Sequence, residues 1–403
     1  MVLRPTQCFL IFLVFSIGIA CRKTPQKSSA AGKKTETKKN KSKNATEKPA
    51  PLNAKGKTSI PLVDSLDLKI GQMVMIGIFG NTLLPTDSIL KEIKANKVGG
   101  IVLFEKNINP VNSKETLKKL VSTLQNEAAI PLFISIDEEG GKVHRLKEKY
   151  GFPKMPSAAY LGKLDDPDST RYYTRNLAGT MSELGINLNY APCVDVAINK
   201  NNPVIAKIER SYSEDPAIVT KQALISIKTQ HQYGVKTILK HFPGHGSSTA
   251  DSHKGMADVT TTWQSSELIP YRKIIQMGQV DAIMTAHIVN CKLDTSCLPS
   301  TLSKTIVTGL LRDSLKYQGA VFSDDMQMYA ISKFYGTENA VKLAINAGVD
   351  VLLFGNNVNP KDIISASQVH AIVKKLVLQG DVSRERIDAS FKRIMKLKIK
   401  TVN

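Results

Sequence analysis

Apolar residues along this chain fall into two alternating rhythms. Short runs that are apolar almost throughout occupy Gln72–Phe79, Gly99–Phe104, Leu132–Ile136, Leu188–Val194, Thr237–His241, Ala282–His287, Ala320–Ser323 and Val351–Phe354. Between them, longer stretches repeat apolar positions every three or four residues: Thr86–Ala95, Lys114–Glu127, Thr170–Leu184, Ala217–Tyr233, Ser266–Met277, Ser303–Leu315 and Glu338–Ala347. Two more follow near Lys361–Leu378 and Ser383–Lys398. The first rhythm predicts strands buried on both faces, and the second predicts helices with one apolar stripe. Eight strand–helix units over residues 59–403 predict a single α/β domain, a (β/α)8 TIM-type barrel. A doubly wound parallel sheet is the alternative arrangement.

The polar residues that end these runs separate the two. Asp137 ends the third, Asp195 the fourth, Lys240 and His241 the fifth, His287 the sixth, Asp324 the seventh and Asn356 the eighth. In a barrel every strand delivers its C-terminal end to one mouth, whereas a doubly wound sheet gathers only the strands at its switch point. Polar tips on so many strands favour the barrel.

The densest chemistry follows the fifth run. Lys240-His241-Phe242-Pro243-Gly244-His245-Gly246 continues through Ser247 to Ala250 and ends in Asp251-Ser252-His253. Gly and Pro specify the shape of this loop, and titratable groups crowd beside a strand end. Asp251 and His253 are close enough to pair. A carboxylate that accepts from one imidazole nitrogen fixes the tautomer and leaves the other nitrogen to move a proton. Lys240 and His241 suit hydrogen bonds to substrate hydroxyls. His245, between two glycines, is expected to hold the loop.

This stretch resembles the signature of glycoside hydrolase family 3, and within it the β-N-acetylhexosaminidase branch, which uses an Asp-His pair on a loop as general acid/base. The resemblance runs over residues 65–355. It implies a retaining glycosidase with Asp324, in Phe322-Ser323-Asp324-Asp325-Met326, as nucleophile, His253 as acid/base and Asp251 as its orienting partner. Asp325 is expected to turn away and cap the next turn, since neighbours on an extended strand point oppositely. Ile134-Ser135-Ile136-Asp137-Glu138-Glu139-Gly140-Gly141, then Lys142-Val143-His144-Arg145, is similar to the family's sugar-binding segment; Asp137 maps to the carboxylate that takes hydroxyls and Arg145 to a basic contact. Lys142 stands where the family usually has Arg. Arg210, in Arg210-Ser211-Tyr212-Ser213-Glu214-Asp215-Pro216, maps to an Arg over the substrate. His287, in Thr285-Ala286-His287, is expected to line the pocket, and Asp195, in Tyr190-Ala191-Pro192-Cys193-Val194-Asp195, to be structural. On this resemblance the chain is expected to lack the second α/β domain that holds the acid/base carboxylate in many β-glucosidases of the family, with the loop histidine in its place. The expected substrate is an oligosaccharide ending in β-linked N-acetylglucosamine, of cell-wall or chitin type, with no cofactor and no metal. The rival readings are a β-glucosidase or glycoside phosphorylase of the same family, and a non-catalytic glycan-binding lipoprotein.

Composition adds an address. Of 403 residues 42% are hydrophobic, enough for a sizeable core. Residues 1–21 place Arg4 before the apolar run Cys8–Ala20, too short to cross a membrane comfortably. They read as a signal peptide whose lipobox-like end makes Cys21 the lipidated residue. Residues 22–58 hold twelve Lys or Arg against two Glu, half of the formal charge of +20. Such a segment cannot bury apolar surface and is expected to be a disordered tether. Charge on an exported linker argues against nucleic acid. The expected location is therefore the periplasm or cell surface, with a membrane anchor at Cys21. Cys193 reads as a small buried hydrophobe. Cys291 and Cys297 are spaced to close a short loop if the compartment is oxidising.

Overall fold

The computed structural model describes residues 65–252, 255–357 and 362–399. The expected leader, Cys21 and the basic tether lie outside the described residues, as does His253.

Eight parallel strands close into a barrel. They are β1 (Val74–Gly77), β2 (Gly100–Leu103), β3 (Phe133–Ile136), β4 (Leu188–Asn189), β5 (Lys236–Phe242), β6 (Ala282–Thr285), β7 (Ala320–Asp325) and β8 (Val351–Phe354). Every strand of the predicted set is present and in the predicted order, with β8 pairing back onto β1. Each of β1, β2, β3, β6 and β8 is buried along its whole length, which is why these segments read as unbroken apolar runs.

The differences lie at the strand ends. β4 stops at Asn189 because Pro192 has no N–H to give, although its neighbours keep the ladder going: Tyr190 donates to the Ile136 carbonyl and Val194 to that of Lys240. The predicted first strand begins late because Leu66–Gln72 is a short helix capped by the Ser65 hydroxyl. Two further short helices, Ala158–Leu164 and Tyr329–Tyr335, went unpredicted. The segment predicted as a helix at Ser303–Leu315 is a π-helix over Thr305–Ser314.

The outer helices begin where the local chemistry favours it. Asp166 caps Pro167–Leu184 and Asp215 caps Pro216–His231, each with proline in the first turn, where no amide hydrogen is needed. Ser365 and Gln368 form a capping box on Ala366–Leu378. At the N-terminal end of the barrel, Lys398 from the last helix donates to Gln72 Oε1, Gly99 O and Pro131 O at 2.7–2.8 Å. Burial pushes this ammonium down to about 7.

Candidate active site

The strand tips enclose a cavity of about 360 Å3 at the C-terminal mouth, lined among others by Asp137, Arg145, Arg210, Lys240, His241, Asp251 and Asp324. Seven of the nine residues proposed for catalysis and sugar contact therefore face one space.

Charge is arranged around Lys240. Its ammonium, on β5, donates to Asp137 Oδ1 at 2.6 Å and lies 2.7 Å from Glu139 Oε1. Glu139 in turn grips Arg210 with both oxygens, at 2.7 and 2.8 Å. The other guanidinium nitrogen of Arg210 donates to the Val204 carbonyl. Burial would raise the Glu139 carboxyl, but Arg210 and Lys240 outweigh it and hold it down at about 2. Burial likewise opposes ionisation of Asp137, and Lys240 and Arg145 prevail, so it too lies below the usual carboxylate range. Sequence reasoning passed over Glu139. Its signal was the run of three acids, Asp137-Glu138-Glu139, in which each does separate work. Asp137 faces the cavity. Glu138 turns inward to His144 and to the amides of Arg145 and Leu146, which shapes the loop that carries Arg145.

A second chain of bonds fixes His241. Asp195 Oδ2 accepts from His241 Nδ1 at 2.7 Å, so Nε2 carries the lone pair and meets Arg210 at 3.1 Å. Asp195 Oδ1 also accepts from the His241 and His245 amides. Asp195 is fully buried, and the structural role expected of it holds. Cys193, Asp195 and His241 offer donor atoms within 4.8 Å of one another. Those atoms are spent on each other: the Cys193 thiol and the imidazole both donate to Asp195 Oδ2, and the Arg210 cation stands at the far side of the ring.

His245 is buried, and burial pushes its imidazole down to about 4, so it is neutral. It contacts Ser252 Oγ at 3.1 Å, consistent with holding the loop. The root of this loop is tightly packed. A Cβ on Gly246 would fall 1.6 Å from the Val196 carbonyl oxygen, so no other residue fits. The Gly246 amide donates to Glu267 Oε2 at 2.7 Å. Burial pushes the Glu267 carboxyl up to about 7. Trp263 Nε1 donates to the Pro243 carbonyl at 3.2 Å, which ties the far end of the loop to its start.

On β7 the ladder to β8 shifts register between Val351 and Leu353. There the Ser323 hydroxyl, in place of a backbone carbonyl, accepts the Leu353 amide at 2.9 Å. This bulge alters the expected alternation, and Asp325 lines the cavity beside Asp324. Asp325 still caps backbone, accepting from Gln327 and Gly355. The Asp324 carboxylate accepts from the Asp325 amide at 2.8 Å.

His287 corrects the sequence reading. It is fully buried and does not line the cavity. Nδ1 meets Thr301 Oγ1 at 2.8 Å and Nε2 meets the Asp325 carbonyl at 3.0 Å. β6 ends at Thr285, and His287, two residues beyond it, is held by Thr301 and by the backbone of Asp325 on β7. Lys142 is exposed and also does not line the cavity, so its departure from the family pattern does not alter the site wall. Asn356 bonds to Gly77 and Ile364 carbonyls and latches β8 to β1, while its neighbour Asn357 lines the cavity.

The profile of the glycosyl hydrolase family 3 N-terminal domain matches residues 65–397. The chain is 35% identical over 338 residues to beta-hexosaminidase A of Pseudoalteromonas piscicida, covering 79% of this chain but 56% of that protein. It is 35% identical over 266 residues to the beta-hexosaminidase of Tolumonas auensis, covering 64% of this chain and 76% of the relative. A family 3 beta-N-acetylglucosaminidase from Paenibacillus superposes with a TM-score of 0.75 at 36% identity, over 83% of this chain and 62% of that one. A beta-N-acetylhexosaminidase from Beutenbergia cavernae gives 0.73 at 26% identity, over 83% and 98%. With a barrel whose strand tips gather the family's signature residues at one mouth, and a match that extends over nearly all of the described chain, this protein belongs to glycosyl hydrolase family 3.

Proposed function

We propose that this protein is a retaining β-N-acetylhexosaminidase that removes terminal β-linked N-acetylglucosamine from cell-wall or chitin-type oligosaccharides. The observation that carries the reading is the single cavity in which Asp324 and Asp251 are joined by a ring of sugar-binding groups, Asp137, Arg145, Arg210, Lys240 and His241. The names of the relatives support the same specificity.

In this mechanism Asp324 attacks the anomeric carbon, while His253, oriented by Asp251, protonates the departing oxygen. The bond from anomeric carbon to leaving oxygen breaks as a glycosyl ester to Asp324 forms. Neutral His253 then takes a proton from water, whose oxygen attacks the anomeric carbon; the bond from that carbon to Asp324 breaks, and the sugar leaves with its β configuration. Activity should fall below about pH 6, where a histidine near its ordinary pKa is already protonated before the second step.

The test is hydrolysis of a chromogenic β-N-acetylglucosaminide beside the matching β-glucoside. The expected outcome is release from the first alone, lost by on the order of 10^4-fold or more in Asp324→Ala. His253→Ala should cost roughly 10^2–10^4-fold. Release from neither substrate by the intact protein would favour a glycan-binding lipoprotein, and dependence on added phosphate would favour a phosphorylase.

We further infer export and anchoring through Cys21. The Cys291–Cys297 disulfide supports this reading, because such bonds persist in oxidising compartments. Cys21→Ser should move the protein from the membrane fraction to the soluble one.

A further inference from the structure

Phe79 lies two residues beyond the C-terminal end of β1, the end of the barrel at which the cavity opens, and is 48% exposed. An exposed aromatic ring beside a sugar site is informative only if something holds it there. Here the support is built in. Asn107 is fully buried, and its amide donates to the carbonyls of Ile78 at 3.1 Å and Gly80 at 2.8 Å, the residues on either side of Phe79. Its oxygen accepts the Phe104 amide at 2.9 Å. All three hydrogen-bonding capacities used by that side chain thus go to fixing the two loops that carry Phe79 and Phe104.

The ring also has a backing. The Lys106 ammonium lies 4.3 Å from the centre of Phe79 and 5.4 Å from that of Phe104. It is tied at 2.6 Å to the Asn356 carbonyl, next to Asn357. Phe104 and Asn357 both line the catalytic cavity. Phe79, Lys106 and Phe104 therefore form a stack that begins in the cavity wall and ends outside it. Leu84 and Val111, on the same two loops, are exposed as well.

Resting on the glycosidase reading above, we propose that Phe79 is a stacking platform for the sugar on the leaving side of the scissile bond, and so sets a preference for oligosaccharides over small glycosides. The polar ring of Asp137, Arg145, Arg210, Lys240 and His241 takes the hydroxyls of the terminal sugar inside the cavity. A pyranose beyond the bond must leave that polar shell. It presents an axial-hydrogen face that is apolar, and a rigid aromatic ring matches it at little ordering cost.

The test separates this platform from the reaction. In the Asp324→Ala protein, binding of N,N′-diacetylchitobiose and of N-acetylglucosamine is measured by titration calorimetry with and without Phe79→Ala. The expected result is about tenfold weaker disaccharide binding with monosaccharide binding held within about twofold, and recovery in Phe79→Tyr, which keeps the flat face. Equal weakening of both ligands, no weakening of either, or no recovery with Tyr would overturn the platform. A melting curve unchanged by Phe79→Ala excludes misfolding. Hydrolysis of β-N-acetylglucosaminyl fluoride by the unmutated protein, whose leaving group is a single atom, tests the glycosidase reading alone. Its failure with the binding difference intact would leave a binding site for chain ends rather than an enzyme.

Discussion

Lys240 shares one ammonium between two carboxylates, and the pair it neutralises belongs to two different tasks. Asp137 faces the cavity, while Glu139 anchors Arg210 behind it. Removing the ammonium would leave a buried acid, Glu139, and a half-buried one, Asp137, facing each other across a space shaped for a cation. Lys240→Met should therefore lose on the order of 3–5 kcal/mol of stability, read from urea unfolding, in addition to sugar affinity. A loss of affinity alone would mean that the carboxylates relax onto Arg210 and Arg145. The functional half of this arrangement was legible in the sequence, because a Lys-His pair at a strand end and an Asp at another have a recognisable chemistry. The supporting half was not. Glu139, Glu138 and Asn107 have no signature of their own; their roles depend on which long-range neighbour the fold brings to them. His287 shows the converse: a histidine predicted to line the pocket is fully buried and spends its ring nitrogens on Thr301 and the Asp325 carbonyl.

The loop that leads from His245 to Asp251 is held at both ends. Upstream, Glu267, Asp195 and Asn202 take the backbone of residues 245–246. Downstream, Ala257–Asp258 pairs with Ile288–Val289, and the Cys291 amide donates to Thr260 Oγ1 at 2.9 Å. The Cys291–Cys297 disulfide closes the turn that follows, with six residues of separation. Closing so short a loop is worth about 2 kcal/mol through the unfolded chain. Reduction, or Cys291→Ser with Cys297→Ser, should lower stability by about that amount in thermal unfolding. It should also lower kcat more than it raises KM, because the returning strand carries no sugar contact. An unchanged kcat would show that the Trp263 bond to Pro243 is clamp enough. At this scale the sequence was most legible where an element is buried on all sides. β8 has the predicted bounds, whereas β4 and β6 end early where Pro192 and the turn toward His287 redirect the chain. The short helices at Ala158–Leu164 and Tyr329–Tyr335 are too brief for a periodic signal.

Over the whole molecule, two buried carboxyls tilt stability in opposite directions with pH. The Glu139 carboxyl is depressed from 4.5 to about 2. Its stabilisation is present in full above pH 4.5 and is lost as pH falls through 2, a change on the order of 3 kcal/mol. The Glu267 carboxyl is raised from 4.5 to about 7. The folded state then holds a proton that the unfolded state has released, so its contribution declines as pH rises from 4.5 to 7, by a similar order of magnitude. Unfolding free energies measured across pH 2 to 8 should show a shallower acid-side slope in Glu139→Gln, with Asp137 and Glu105 supplying the remainder, and flatten between pH 4.5 and 7 in Glu267→Gln. Identical profiles in all three proteins would refute both assignments. The barrel itself is indifferent to these charges; eight parallel strands close on apolar side chains, and that is why its class was readable from the alternation of runs alone. Trp263 has one more consequence. It is the single tryptophan of the chain, and it bonds to Pro243, at the start of the loop that carries Asp251. Indole emission from this protein therefore reports on the surroundings of that bond, and a shift in its colour on adding sugar would show, without any label, that binding is felt at Pro243.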